Sequence, residues 1–181
     1  MAVTAVEGGV LERSVEDFES LWQQWRLPMV QLAVMLVDSR EAAEDVVQEA
    51  FLALHRRWDR VDNHVAYLRT SVVNGCRSVL RRRLLARTRG HFLAVPEPDA
   101  VGGVLIAEEH RETMAALHRL PRRQREVLVL RYWQELSDEQ IAVTLSITSS
   151  AVRSTASRAR ASLAALLDDS PAGSTVEGGA L

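Results

Sequence analysis

Apolar residues recur at spacings of three and four along nearly the whole chain, which is the period of one face of an α-helix. An early example runs from Phe18 to Leu36. No segment sustains the alternation of apolar and polar residues that a half-buried β-strand shows. The pattern therefore predicts an all-α protein without a sheet.

The period defines three helices in the first half of the chain. The first contains Pro28, which we expect to kink or divide it, because an interior proline removes a backbone hydrogen bond and clashes with the preceding turn. The second begins at a cap from Asp38 or Ser39 and ends near Trp58. The third spans residues 65–87.

Composition changes after the third helix. Residues 90–103 hold two prolines, three glycines and two acids, which is typical of a flexible linker. Proline, glycine and serine return at the end of the chain and indicate a disordered tail. We therefore predict two small helical domains: the first at 14–89, a linker at 90–107, the second at 108–168 and the tail at 169–181.

Two short helices in the second domain have the spacing of a helix-turn-helix. Pro121 suits the first position of the helix before them. Ser137 and Gln140 form a capping-box pattern at the start of one helix, and the other begins at Ser149 after a tight turn. Such a pair serves DNA binding because the second helix places its N-terminal residues in the major groove. Its polar side carries Ser149, Ser150, Arg153, Ser154, Ser157 and Arg158. The alternative is the solvated face of a helical bundle.

Charge is strongly segregated, although the formal net charge is only -2. All 22 basic residues are arginine. Residues 1–52 hold ten acids and three arginines, whereas residues 53–90 hold ten arginines and two acids. Arginine beside aromatics such as Trp58 and Tyr67 suits unpaired bases, because rings and guanidinium planes stack on base faces. The alternative is a solvated basic face with both aromatics in the core.

Several classes of protein do not fit the sequence. The apolar stretches are far shorter than the roughly 20 residues that span a bilayer, and no secretory leader is visible, so we expect a cytosolic protein without membrane insertion. The single cysteine, Cys76, excludes an internal disulfide and is expected in the core. The histidines show no metal-binding spacing, and there is no glycine-rich phosphate loop. We expect no metal, no cofactor and no enzymatic activity.

The motifs together resemble the extracytoplasmic-function (ECF) sigma factors, the smallest group of the sigma-70 family, which keep only regions 2 and 4. Residues 42–52 (AAEDVVQEAFL) resemble region 2.2, and residues 66–83, from AYLR to LRRR, resemble regions 2.3 and 2.4. Residues 120–128 (LPRRQREVL), 136–142 (LSDEQIA), 152–154 and 157–160 resemble region 4. The resemblance covers about residues 15–167. It implies an initiation factor that binds core RNA polymerase, recognises −35 and −10 promoter elements and aids promoter melting.

The resemblance also implies roles for individual residues. Region 2.2 binds the clamp helices of the largest polymerase subunit, and the flap of the second-largest subunit is a further expected partner. The expected core contacts are Asp45, Gln48, Glu49, Phe51 and Leu52. The expected −10 contacts are Arg60, Asp62, Asn63, His64, Tyr67, Asn74, Arg77 and Arg81. The helix from Ser149, with Ser150, Arg153, Ser154, Ser157 and Arg158, is expected to read the −35 element. An anti-sigma factor that occludes both domains is a further candidate partner.

The chain departs from the family pattern at a few positions. Ser146 stands where the turn usually has glycine, Ser150-Ala151 replaces Gly-Thr, Thr155 replaces an arginine, and Ser78 stands where aspartate is frequent. The fold remains consistent with these changes. A helix-turn-helix repressor or response-regulator output domain is the alternative. That alternative does not explain the acidic second helix or the ten arginines of residues 53–90.

Overall fold

The computed structural model describes residues 4–37, 39–88 and 111–169, and within these ranges the chain forms helices and no strands. The helices are α1 (Thr4–Val37), α2 (Arg40–His55), α3 (His64–Thr88), α4 (Arg111–Arg119), α5 (Arg122–Leu128), α6 (Asp138–Leu145) and α7 (Ser149–Asp168). The prediction of two small all-α domains joined by a linker is confirmed. The flexibility expected of the linker and the disorder expected of the tail concern residues outside the described ranges.

The first domain packs α1, α2 and α3 against one another. The interior of this bundle is apolar, with Leu32, Leu54, Leu68 and Val72 fully buried. At Gly75 the backbone of α3 approaches α2 so closely that a Cβ atom there would lie 2.7 Å from Cγ1 of Val46. Glycine is therefore the residue that lets these two helices meet.

Pro28 was expected to kink or divide the first helix; it does not divide it, because α1 continues through it to Val37, and the kink stays a prediction. An interior proline costs about 3 kcal/mol. Met29, Leu32 and Leu36 follow it and are buried in the bundle, and each fully buried side chain of this kind contributes about 1.5–3 kcal/mol. Packing of the segment after Pro28 thus outweighs the lost hydrogen bond.

Side-chain caps begin the helices where the sequence predicted them. The Ser39 hydroxyl accepts a hydrogen bond from the backbone N–H of Ala42 at 3.4 Å. The capping box of α6 is complete: Gln140 N donates to Ser137 Oγ at 3.3 Å, and Ser137 N donates to Gln140 Oε1 at 2.9 Å. These bonds satisfy backbone N–H groups that have no hydrogen-bond acceptor within the helix at its start.

The second domain contains α4 to α7, with α7 packed on α4, α5 and α6. Pro121 caps α5 in an extended conformation rather than forming its first residue, so that boundary moves by one residue. After Leu128 the chain continues as a π-helical turn, Val129–Trp133, which the sequence did not predict. The turn leaves Tyr132 and Trp133 about half exposed.

The turn between α6 and α7 is tight despite its unusual residue. Ser146 ends α6 at φ 54° and ψ 52°, the left-handed conformation that normally favours glycine. Its N–H donates to Val143 O at 3.2 Å, and Ile147 N donates to Ala142 O at 3.0 Å. These bonds hold the serine in a conformation that costs about 1 kcal/mol.

Candidate nucleic-acid and polymerase interface

The outer face of α2 is mostly acidic and polar, with one apolar residue at its C-terminal end. Asp45, Gln48 and Glu49 are exposed, and Leu52 is 58% exposed one turn further along the same face. The face is therefore polar apart from this one leucine. We call these four residues the α2 face.

Phe51 lies on the inner side of α2, in the core. It is 1% exposed, and its ring packs edge-on against Trp22 at 4.7 Å and Phe18 at 6.2 Å between centroids. This position corrects the expectation that Phe51 offers a contact surface. Its role is to hold α2 against α1, so that the α2 face points outward.

A short polar connection joins α2 to α3 and includes the 3-10 turn Trp58–Arg60. His64 stacks on Trp58 with centroids 3.8 Å apart, and its Nε2 lies 3.1 Å from the Trp58 carbonyl oxygen. Asn63 Oδ1 accepts a hydrogen bond from Ala66 N at 2.9 Å and so caps the start of α3. Arg60 and Asp62 are exposed between these anchors. The loop is therefore held at both ends while its polar side chains face solvent.

The helix α3 carries the remaining residues expected at the −10 element. Tyr67 is half-buried and packs on the core, whereas Asn74 and Arg81 are exposed. Arg77 is directed toward the second domain. Its Nε donates to Glu126 Oε1 at 2.8 Å and its Nη2 donates to Glu126 Oε2 at 2.9 Å. The structure thus gives one of the expected DNA-binding side chains a partner inside the chain.

The helix α7 presents a polar surface next to the turn at Ser146. Thr148 caps it, with Oγ1 accepting from Ala151 N at 3.2 Å. Its inner side is buried and includes Val152 and Thr155, so the position at which the family often has arginine faces the core. Of the six residues expected to read DNA, Ser149 is half-buried and the others are exposed: Ser150, Arg153, Ser154, Ser157 and Arg158.

Glu126 was not expected to belong to the site. It is 2% exposed, and besides Arg77 it contacts Arg123 at 3.2 Å and Arg122 at 3.7 Å. The spacing of three and four residues on α5 favours the contacts with Arg122 and Arg123. Nothing in the sequence indicates that Arg77 pairs with Glu126, because this contact depends on how the two domains pack against each other.

Two groups near this contact have shifted pKa values. The hydrogen bond to Glu126 raises the pKa of Arg77 above its usual value, although burial opposes this. Burial, with a smaller effect from the charge of Glu126, raises the pKa of the Cys76 thiol to about 12. Cys76 is 1% exposed, as expected of a core residue. Arg77 stays charged, and the thiol stays protonated.

Comparison with known proteins accounts for both domains. Residues 21–84 match the family model for Sigma-70 region 2, and residues 110–163 match that for Sigma-70, region 4. The RNA polymerase sigma-E factor of Streptomyces coelicolor is 30% identical over 156 residues, which cover 82% of this chain and 85% of that protein. This chain is an ECF sigma factor of the sigma-70 family.

Other relatives agree with the assignment. The ECF RNA polymerase sigma factor SigM of Mycobacterium tuberculosis strain H37Rv is 32% identical over 155 residues, which cover 83% of this sigma factor and 76% of SigM. The probable RNA polymerase sigma factor RfaY of Xanthomonas campestris is 32% identical over 146 residues, 72% of this chain but 36% of RfaY. This sigma factor thus spans about a third of the length of RfaY. The match over the first domain also removes the reason to consider a simple helix-turn-helix repressor.

Solved structures show the same fold. The sigma factor RpoE of Bartonella quintana, solved in complex with the anti-sigma factor NepR, superposes with a TM-score of 0.74 at 23% identity, covering 85% of this chain and 98% of RpoE. CnrH, solved with the cytosolic domain of CnrY, gives a TM-score of 0.63 at 28% identity, covering 84% of this chain and 89% of CnrH. These likenesses extend over both domains of this sigma factor.

The described residues contain neither a membrane-spanning helix nor a cluster of metal-ligating side chains. Among the helices within residues 4–37, 39–88 and 111–169, none combines the length and the hydropathy that a bilayer crossing requires. The same ranges hold no group of three or more His, Cys, Asp or Glu side chains placed to bind a metal ion.

Proposed function

We propose that this sigma factor binds core RNA polymerase through the α2 face and directs initiation at promoters with −35 and −10 elements. It acts in the cytoplasm and catalyses no bond chemistry. The observation that carries the polymerase contact is Leu52, 58% exposed at the end of a row formed by the exposed Asp45, Gln48 and Glu49. Burial of that leucine supplies affinity, and the acidic neighbours supply orientation toward a basic partner. The clamp helices of the largest subunit are the proposed partner.

The −10 element is proposed to bind the α2–α3 connection and the adjacent side of α3. Arg60, Asp62 and Asn63 are exposed on the connection, and Arg81 is exposed further along α3. The stack of His64 on Trp58 gives the loop a fixed shape. Separating the strands costs a few kcal/mol per base, and contacts made only with the unpaired strand offset that cost. Tyr67, Asn74 and Arg77 complete the proposed surface.

The −35 element is proposed to bind the exposed side of α7. A helix-turn-helix places the start of its second helix in the major groove, where Ser150, Arg153 and Ser154 reach base edges. Ser149 lies at the entry of that helix, and Ser157 and Arg158 follow one turn later, near the phosphates. The flap of the second-largest subunit is the proposed polymerase partner of this domain.

Run-off transcription with reconstituted holoenzyme tests the function. Core polymerase with this chain should start promoter-specific transcripts from genomic fragments, with start points read by 5′-end mapping. A chain that never associates with core, or a holoenzyme that starts no specific transcript, would contradict the proposal.

Two substitutions test the two surfaces separately. Asp45→Arg should weaken core binding with helicity unchanged, whereas Asp17→Arg, which changes an exposed acid on α1, should not. Arg153→Ala should reduce holoenzyme affinity for −35 duplex by about 1 to 3 kcal/mol, with Arg40→Ala as the exposed control. Retained core affinity in Asp45→Arg, or unchanged duplex affinity in Arg153→Ala, removes that residue from its interface.

An anti-sigma factor is proposed as a regulatory partner. RpoE of Bartonella quintana was solved with the anti-sigma factor NepR, and CnrH was solved with the cytosolic domain of CnrY. The fold of this chain resembles both over about 85% and 84% of its length. Genes adjacent to that of this sigma factor are the place to search, and co-purification of a product with the full chain is the test.

A further inference from the structure

A groove of about 310 Å³ lies between α2 and α3, beside the α2 face. Asp45 and Glu49 of the α2 face line one wall, and Arg82 of α3 lines the other. These three residues are exposed. Val46 and Val79 also line the groove. The groove therefore combines both signs of charge with a patch of apolar surface.

The two arginines of the groove, Arg82 and Arg83, differ in what they already bind. Arg83 Nη1 donates to the carbonyl oxygen of Val37 at 2.9 Å, at the C-terminal end of α1, where carbonyl groups lack partners within the helix. Arg83 is therefore a structural link between α3 and α1. Arg82 makes no hydrogen bond or ion pair with any other residue that the structure describes. Its guanidinium is available to a partner.

The acids of the opposite wall are likewise available. Asp45 and Glu49 are four residues apart on α2, a spacing at which like charges repel each other. Within the described part of the chain, neither carboxylate forms a salt bridge with Arg82 or Arg83. A partner that brings a basic side chain to the acids and an acidic side chain to Arg82 replaces this repulsion with attraction.

We propose that the polymerase contact of the α2 face continues across this groove, and that Arg82 is a further core-binding residue. The inference rests on the proposed function, which assigns the α2 face to core polymerase. The partner that fits is a helix of the clamp with a basic and an acidic side chain about one turn apart. Its basic side chain packs the methylene stem on Val46 and Val79. The charge meets Asp45 and Glu49, while the acidic side chain pairs with Arg82.

The charges of the groove favour a protein over DNA as the occupant. A phosphate bound to Arg82 would lie beside Asp45 and Glu49, which repel it. Leu52 lies two helical turns from Asp45 on the same helix, about 10 Å at 1.5 Å per residue. One partner helix can span that distance, with an apolar contact at Leu52 and charged contacts at the groove. The groove thus extends the α2 face and is not a separate site.

Titration of core polymerase against the full chain, labelled at its N-terminus, tests this extension. Arg82→Glu should weaken core binding about tenfold, because it places a third acid in the groove. Arg82→Gln should weaken it several-fold. The matched control is Arg26→Glu, which makes the same charge change at an exposed position on α1 and should keep the wild-type affinity. Circular dichroism checks helicity, and Arg82→Gln decides alone if Arg82→Glu loses it.

A charge exchange separates a contact with polymerase from a balance of charges inside the chain. Asp45→Arg combined with Arg82→Glu keeps the net charge of the groove but exchanges its walls. If polymerase contacts each wall, the double variant should bind core no better than either single variant. If Arg82 only offsets the acids of α2, the double variant should recover the wild-type affinity, and that recovery would overturn the proposal.

Two other results would also overturn it. Wild-type core affinity in both Arg82 variants removes Arg82 from the interface. Unchanged core affinity with weaker binding of the holoenzyme to promoter DNA assigns Arg82 to DNA instead. Failure of the proposed function is distinguishable, because Asp45→Arg and Leu52→Ala would then keep the wild-type core affinity. If the groove alone is wrong, those two variants remain impaired while the Arg82 variants bind normally.

Discussion

Substitution of Gly75 by alanine should loosen the pairing of α2 with α3, although alanine is the better helix former. The added Cβ would lie 2.7 Å from Cγ1 of Val46, where ordinary contact begins at 3.4 Å. Val46 is 4% exposed and branched at Cβ, so it has few rotamers into which it can retreat. The helices must therefore separate or the valine must leave its preferred rotamer.

Two opposing effects set the magnitude. Alanine in place of glycine in a helix interior stabilises by about 1 kcal/mol. Overpacking of a dense core costs about 1–3 kcal/mol. We expect Gly75→Ala to lower the free energy of unfolding by about 1 kcal/mol, which corresponds to a fall in Tm of about 4–8 °C for a small domain.

Urea denaturation followed by circular dichroism measures the effect, and a double-mutant cycle isolates its cause. In a Val46→Ala background the obstructing methyl groups are gone, so Gly75→Ala should become stabilising by about 1 kcal/mol. The sign of the Gly75→Ala effect should therefore reverse between the two backgrounds. If Gly75→Ala stabilises the wild type as much as it stabilises the Val46→Ala variant, the close approach of α2 and α3 is refuted.

Three further predictions concern single positions. Phe51→Ala should cost about 3–5 kcal/mol of stability, whereas Leu52→Ala should cost little stability and weaken core binding, as denaturation and a polymerase titration would show. Ser146→Gly should stabilise by up to about 1 kcal/mol in a thermal melt, because glycine accepts φ 54° without strain; a destabilised variant would contradict this. The Cys76 thiol should not react with a thiol reagent at pH 8 in the folded chain. Its pKa rises from 9.0 to about 12 on folding, so the stability that it contributes should be present below pH 9 and lost as pH rises toward 12; rapid reaction of the native chain at pH 8 would oppose this.

Local sequence patterns predict helix starts correctly where the interacting residues belong to one helix. The capping residues Ser39 and Ser137 begin α2 and α6 as predicted, because a cap depends on residues three positions away. Pro28 shows the limit of such reasoning. An interior proline does lower the stability of a helix. The residues after it are buried against α2 and α3, however, and the sequence near the proline does not include those helices.

The site residues divide in the same way. The sequence predicted the polar side of α7, and five of its six named residues are exposed. It grouped Phe51 with Leu52 because they are neighbours in the motif, yet adjacent positions on a helix point about 100° apart, and only Leu52 faces outward. Their roles in binding polymerase and DNA stay predictions.

The sequence by itself determined that this chain is helical, that it has two domains, and which motifs identify its family. Those properties follow from periodicity, composition and residue order, each of which can be evaluated from short stretches of sequence without knowledge of tertiary contacts. Only the tertiary structure decided that α1 passes through Pro28, that Phe51 turns inward and that Arg77 meets Glu126. Each depends on residues far apart in the chain, 49 positions in the last case, and such contacts form only when the packing of whole helices brings them together.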